Sequence, residues 1–310
     1  MQPLISIVSP VYRAEKIVDK LVEQISEEVS KITDNFEIIL VEDGSPDNSW
    51  EAIERNCQKD KRVKGIKLSR NFGQHYAITA GLEYSQGEWV VVMDCDLQDD
   101  PIYISQLFEK AQQGFDIVYT VKKKREHSFF KNFFANLYNH VFNWLIDNKE
   151  QKSSNQIGSY SLLSRKVVEA FKNYKDYRRH YLMILRWLGF SNTFIQIEHR
   201  ERFEGKSSYN FSKLLTHALD GITSQSDKIL RLTVTLGFVL SVLSILGGIY
   251  IIIRTFISSF QSGWASLVVL ILFTSGLIIT SIGISAIYIG KIFEQTKERP
   301  LFIIDKTINS

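Results

Sequence analysis

Residues 89–101 read Trp-Val-Val-Val-Met-Asp-Cys-Asp-Leu-Gln-Asp-Asp-Pro. The run Trp89–Met93 has the length and β-branched content of a buried strand, and two acids follow it at i and i+2. Similar short runs lie at Leu4–Ser9, Phe36–Val41, Val63–Leu68 and Asp116–Val121. Between them, residues 15–33, 47–60, 74–86 and 101–114 have helical spacing. Strands alternating with helices of this length predict an α/β fold, an open, mostly parallel sheet with helices on both faces. Ligands of such sheets bind beyond the carboxyl ends of the strands. The polar residues fall there: Pro10 and Tyr12, then Glu42-Asp43-Gly44-Ser45, then Ser69-Arg70-Asn71, then Asp94-Cys95-Asp96. Four polar loops on one edge describe one site.

Composition divides the chain. Residues 233–290 carry one charge, Arg254, although 23% of the 310 residues are charged. Thr233–Ile253 and Trp264–Gly290 are uncharged runs long enough to cross the ~30 Å hydrocarbon core as helices. Lys228 and Arg231 precede the first, Lys291, Lys297 and Arg299 follow the second, and the linker around Ser258–Gly263 has neither Lys nor Arg. Positive charge at both ends predicts a tight outer hairpin with head and termini in the cytoplasm. Arg254 can snorkel to the headgroups, and Ser and Thr are the polar residues within the spans, so they read as an anchor. The expected divisions are a cytoplasmic domain over 1–210, a juxtamembrane amphipathic helix over 211–232, spans over 233–257 and 264–290, and a tail over 291–310. Lys122–Arg125 precede an aromatic-rich amphipathic stretch, about 129–147, that reads as an interfacial helix.

The remaining counts exclude other classes. A net charge of +3 does not argue for nucleic acid. Two cysteines, Cys57 and Cys95, build no disulfide framework, and the start MQPLISIVSP has neither a basic n-region nor a cleavage site. Oligomeric state has no signal, and a homo-oligomer stays open.

The sharpest chemical signal is Asp94-Cys95-Asp96. Two carboxylates at a strand end can approach one hard divalent cation, Mg²⁺ or Mn²⁺, whose shell is completed by phosphate oxygens of a substrate. That predicts a diphosphate leaving group. Cys95 reads as a small packed thiol. Asp100 and Pro101 read as N-cap and first position of the next helix, and Asp47 as the cap of an earlier one.

Together PVYRAE, VEDGSPDNS, LSRNFGQHYAITAGL, DCDLQDDP and RFEGKSSY, followed by two apolar runs, resemble the polyprenyl-phosphate glycosyltransferases of the dolichol-phosphate mannose synthase type. These are inverting family 2 glycosyltransferases with a nucleotide-diphospho-sugar transferase fold. The resemblance implies transfer of a sugar from a nucleotide-diphosphate donor, a UDP-sugar being favoured, to a polyprenyl phosphate, undecaprenyl phosphate in a bacterium. It implies that Pro10, Tyr12, Glu15 and Asp43 hold the nucleobase and ribose. Asp94 then contacts the ribose or sugar, Asp96 binds the metal, and Gln98 lies in the sugar or acceptor pocket. Arg202 would meet the diphosphate or lipid phosphate, and Lys122, Arg125, Lys206 and Ser207 the acceptor phosphate.

The chain departs from the family pattern in four places. Arg13 and Ala14 follow Tyr12 where P-x-Y-N-E is usual, Lys122 replaces an Arg, and Ser208 stands where a Lys is expected. Many members have an Asp-x-Arg whose Asp is proposed as catalytic base; here the positions are Ser159 and Ser161. A phosphate monoester has a second pKa near ~6, so the acceptor is mostly dianionic and needs no base. The expected rivals are a glycan-extending membrane transferase and a catalytically silent scaffold. No terminal Q-x-x-R-W of a polymerising synthase is present.

Overall fold

A computed structural model describes residues 3–122, 157–177, 179–198, 228–257 and 263–310. The expected helices over 129–147 and most of 211–232, together with Arg125, Arg202, Lys206 and Ser207, lie outside them. The described residues form two compact units, one holding residues up to 122, 157–198 and 299–310, the other 228–298.

The first unit is built on strands β1 (Ile5–Val11), β2 (Phe36–Glu42), β3 (Val63–Leu68), β4 (Trp89–Val92), β5 (Ile117–Lys122), β6 (Ile157–Ser164), β7 (Asn192–Ile197) and β8 (Ile304–Ile308). They make one sheet in the order β7-β5-β6-β4-β1-β2-β3-β8. Strands β1 to β4 are mutually parallel where they pair, and β5 pairs in parallel with β7. β6 runs antiparallel between β4 and β5, and β8 antiparallel to β3. The mostly parallel α/β sheet expected from the alternation of strands and helices is present. All of β1 and β2 is buried, as central strands covered on both faces require.

Helices α1 (Val18–Ser30), α2 (Ser49–Lys59) and α4 (Tyr103–Ala111) cover one face; α3 (Gln74–Tyr84), α5 (Arg165–Asn173) and α6 (Tyr181–Leu188) cover the other. On α1 the buried residues Val18, Leu21, Val22, Ile25 and Val29 form one stripe. Alternate residues of β4 serve opposite cores: Val91 joins Leu21, Ile25 and Leu107, while Val90 and Val92 join Ile78, Val167 and Ile184. Burying each such aliphatic side chain is worth about 1.5–3 kcal/mol, so the two cores hold the sheet between its layers.

Pro10 has no N–H, and β1 accommodates it because pairing with β4 ends at Val8, while pairing with β2 continues through Pro10 opposite Val41. At the amino end of β2 Glu37 is buried and paired. Its Oε1 accepts from Ser6 Oγ and the Gln86 amide, both at 2.6 Å, and its Oε2 meets Lys64 Nζ at 2.7 Å.

Residues 291–310 hold more than a tail. Ile304–Ile308 adds an edge strand to the sheet, with Gly65 opposite Ile308 and Leu68 opposite Ile304. Asn309 locks it, donating from Nδ2 to the carbonyl oxygens of Cys57 (2.8 Å) and Val63 (2.9 Å).

The second unit contains two long helices, α7 (Lys228–Ile257) and α8 (Trp264–Thr296). They enclose the two apolar runs. Among the described residues one stretch, Phe273–Thr296, is long and apolar enough to cross a membrane, and a shorter apolar stretch runs over Leu230–Leu240. Apolar side chains such as Phe238, Ile279 and Ile289 stand exposed on these helices, a surface that water does not favour. The described residues support one span, so the two-span hairpin stays an expectation.

Candidate active site

The carboxyl ends of β1, β2, β3 and β4 face one edge because these strands are parallel. The loops after them carry the residues singled out in the sequence.

The first two loops are laced together. The amide of Arg13 donates to Ser45 Oγ (2.8 Å), that of Ala14 to Ser49 Oγ (3.0 Å), and that of Glu15 to Asp47 Oδ2 (3.2 Å). Glu15 in turn accepts at Oε1 from Asn48 Nδ2 at 3.1 Å. Tyr12 stands 43% exposed, with the Arg13 guanidinium carbon 5.5 Å from its ring centroid. Asp47 organises the second loop: Ser45 Oγ and Ser49 Oγ donate to its Oδ1, as does the Ser49 amide at 3.3 Å. Burial opposes ionisation of Asp47, yet these hydrogen bonds outweigh it and hold the carboxyl below the usual 3.8. Ser49 is the first residue of α2, so Asp47 serves the helix start from one position before its Asn48 cap.

Asp43 is buried, and both its oxygens hold backbone. Oδ1 accepts from the Phe72 amide at 2.7 Å and Oδ2 from the Gly73 amide at 2.9 Å. Burial pushes its carboxyl up, against the pull of those amides and of Arg70. Glu42 beside it is also pushed up by burial, opposed by the Ser45 amide and the charge of Lys67. Gly44 allows this contact between loops: it has φ 59°, and a β-carbon there would stand 2.2 Å from Asn71 N.

After β4, Asp94 accepts at Oδ1 from Gln74 Nε2 (2.6 Å) and Ser159 Oγ (3.1 Å). Asp96 accepts at Oδ1 from the Gln98 amide at 3.1 Å, which folds the loop back on itself; Leu97 adopts φ 56° within it. Burial pushes the Cys95 thiol up to about 12, consistent with a packed thiol. Asp100 accepts from the Ile102 amide at 3.2 Å, and Tyr160 Oη donates to its carbonyl at 3.1 Å. The helix begins at Tyr103, two residues beyond the expected Pro101, because residues 101 and 102 form a turn.

Lys122 ends β5, which runs the same way as β4 since both pair antiparallel with β6, so it is at the site edge. The structure thus brings Pro10, Tyr12, Glu15, Asp43, Asp94, Asp96, Gln98 and Lys122 to one rim. Gln74 was not singled out in the sequence; nothing marks an uncharged residue at a helix start except its place after Gly73 in the third polar loop.

Among the described residues no group of three or more His, Cys, Asp and Glu gathers to hold a metal. Asp94 and Asp96 offer hard oxygen ligands suited to Mg²⁺ or Mn²⁺, and a shell of two carboxylates would be completed by diphosphate oxygens and water. The donor set fits an ion that arrives with its substrate.

A layered, mostly parallel sheet with helices on both faces is the architecture of the nucleotide-sugar transferase fold. The glucosyl-3-phosphoglycerate synthase of Mycobacterium tuberculosis shares this fold, with a TM-score of 0.52 over 74% of this chain and 79% of that one at 15% identity. The profile of Glycosyl transferase family 2 matches residues 6–171, and the chain belongs to that family. It is 35% identical to the uncharacterized glycosyltransferase YkcC of Bacillus subtilis over 97% of this chain and 93% of the relative. It is 32% identical to the SfII prophage-derived bactoprenol glucosyl transferase of Shigella flexneri, over 98% of each. Identity is 30% to the undecaprenyl-phosphate 4-deoxy-4-formamido-L-arabinose transferase of Pseudomonas syringae, covering 99% of this chain and 91% of the relative. The resemblance to polyprenyl-phosphate glycosyltransferases read from the motifs is borne out by these relatives, and the protein is a glycosyltransferase.

Proposed function

We propose that this enzyme transfers a sugar from a nucleotide-diphosphate donor, a UDP-sugar being favoured, to a polyprenyl phosphate at the cytoplasmic face of a membrane, with inversion at the anomeric carbon. The observation that carries the reading is the meeting of Asp43, Asp94 and Asp96 on one sheet rim, in a chain related over nearly its whole length to transferases named for bactoprenol and undecaprenyl phosphate.

The acceptor is a phosphate monoester, mostly dianionic at neutral pH because its second pKa is near ~6. One of its oxygens forms the new bond to the anomeric carbon as the bond to the donor diphosphate breaks, and the nucleoside diphosphate leaves with that electron pair. Attack from the side opposite the leaving group gives inversion. No proton has to be removed from the nucleophile, so Ser159 suffices where a base would otherwise be needed. Alignment and charge compensation remain for the protein to supply. Tyr12, Glu15 and Asp43 hold the nucleoside end, Asp94 faces the ribose or sugar, and Gln98 lies toward the sugar. Arg202 meets the leaving diphosphate, while Lys122, Arg125, Lys206 and Ser207 receive the lipid phosphate. Mg²⁺ or Mn²⁺ held by Asp96 supplies, when bound, positive charge against the diphosphate. In this reading two spans anchor the chain with head and termini in the cytoplasm, because the acceptor's own chain gains about 0.8 kcal/mol per buried CH₂ and does not leave the bilayer.

The test incubates purified protein in detergent with undecaprenyl phosphate and a panel of radiolabelled nucleotide-sugars. Label extracted into the organic phase, released by mild acid as free sugar, is the expected result. Label that enters only a longer glycan, or tight nucleotide-sugar binding with no turnover, would overturn it.

A further inference from the structure

Asp43 and Asp94 sit on separate loops, yet three consecutive residues touch both. The amides of Phe72 and Gly73 donate to the two oxygens of Asp43 at 2.7 and 2.9 Å, and the next side chain, Gln74, donates from Nε2 to Asp94 Oδ1 at 2.6 Å. Ser159, arriving from β6, donates from Oγ to that same Asp94 oxygen at 3.1 Å. Gln74 is the first residue of α3, and its predecessor Gly73 adopts φ 106°.

We infer that Gln74 and Ser159 are a positioning pair for Asp94, and that the segment Phe72-Gly73-Gln74 fixes the spacing between the nucleoside end and the sugar end of the donor site. This rests on the function proposed above, which sets Asp94 against the donor.

A carboxylate on a strand-end loop has two side-chain torsions to lose when it binds a ligand. Two donors converging on one oxygen remove that freedom before the donor arrives, and pre-organisation of this kind lowers the cost of reaching the transition state. Both donors are neutral. They orient Asp94 without cancelling its charge, which a Lys or Arg in either place would do. Ser159 is itself braced: its carbonyl accepts from Ser161 Oγ at 2.9 Å, and Ser161 Oγ lies 2.7 Å from the buried Tyr181 hydroxyl. Gln74 is braced through Gly73, whose amide is held by Asp43. One end of the pair therefore reports on the nucleoside loop and the other on the core beneath β6.

The experiment compares Gln74→Met, Gln74→Glu, Ser159→Ala and the Gln74→Met/Ser159→Ala double variant in the full-length, detergent-purified protein. It measures kcat, donor KM, affinity for UDP alone and melting temperature. Gln74→Met keeps the side-chain length and removes the donor; kcat should fall about 10- to 100-fold, the range for losing one hydrogen bond to a charged group. Affinity for UDP and the melting temperature should stay at wild-type values, because the nucleoside loop is intact. Gln74→Glu, of the same shape but with an acceptor facing an acceptor, should fall at least as far. Ser159→Ala should cost less, and the double variant should lose more than the product of the single losses, since each donor covers for the other. A Gln74→Met enzyme with wild-type kcat, one whose loss tracks a lower melting temperature, or a double variant whose loss equals that product would overturn the inference. Wild-type protein that binds a UDP-sugar but labels no polyprenyl phosphate would instead overturn the functional reading. The variants' affinities for the UDP-sugar relative to UDP then decide the pair: a selective loss for the UDP-sugar upholds it and an equal change in both rejects it.

Discussion

Gly44 runs so close to Asn71 that a β-carbon on it would stand 2.2 Å from the Asn71 amide nitrogen and 2.4 Å from the Arg70 carbonyl carbon. Both obstacles are backbone, and the residue also has φ 59°. Gly44→Ala should therefore separate the second and third loops and cost about 2 kcal/mol or more of stability. Thermal melting and UDP titration of the purified variant check this. A variant with unchanged melting and unchanged UDP affinity would contradict the contact.

Asp96→Ala should abolish transfer, whereas Ser159→Ala should leave substantial activity. The first removes the carboxylate assigned to the cation; the second removes one neutral donor to Asp94. Comparable losses in both purified variants would mean that Ser159 has a direct chemical role.

Chelation gives a separate check on the paired acids. Treatment with EDTA followed by gel filtration should remove activity, and Mg²⁺ or Mn²⁺ should restore it to wild-type enzyme but not to Asp96→Ala. Full activity after chelation would exclude the assignment of Asp96.

Asp47 makes a pH-dependent contribution to stability. Its carboxyl lies below 3.8 in the fold despite burial, held there by Ser45, Ser49 and the Glu15 amide. A depressed folded value stabilises the protein above the unfolded value, and that contribution disappears as pH falls through the folded one. Asp47→Asn should thus melt at a lower temperature than wild type at pH 7, with the gap closing below 3.8. A gap of constant size across that range would show that shape, and not charge, is what Asp47 provides.

Asn309 ties β8 to the sheet through two carbonyl oxygens, and its Oδ1 also accepts from Lys61 Nζ at 3.3 Å. Asn309→Ala leaves both carbonyls without that partner and should cost about 1–3 kcal/mol. Protease sensitivity of the β3 edge and thermal melting measure it. No change in either would show that β8 is held by its backbone ladder alone.

The first five strands were legible because each is a short β-branched run bounded by polar loops, and parallel central strands need apolar residues on both faces. The first four helices were legible too, although α1 occupies Val18–Ser30 within the expected 15–33, since the residues on either side form turns; α5 and α6 were not. β6 was not legible: its sequence, IGSYSLLS, alternates serine with apolar residues only in part, and its partners lie far along the chain. β8 has apolar residues only at its two ends, Ile304 and Ile308, and becomes a strand because β3 offers it an unpaired edge. At the site, the acids were visible from charge and spacing. That Asp43 spends both oxygens on the Phe72 and Gly73 amides was not, because backbone donors leave no trace in side-chain identity. Gln74 was hidden for a related reason, being one polar residue among many until Asp94 is placed beside it.

β8 follows both long helices in the chain, so during translation β3 is complete long before its outer neighbour exists. Until Ile304–Ile308 leaves the ribosome, Val63–Leu68 is an open edge, the kind of backbone that pairs with the wrong chain. Soluble heads made by cutting the gene ahead of α7 would keep that edge open permanently. Such fragments should aggregate unless Arg299–Ser310 is supplied in trans or grafted back.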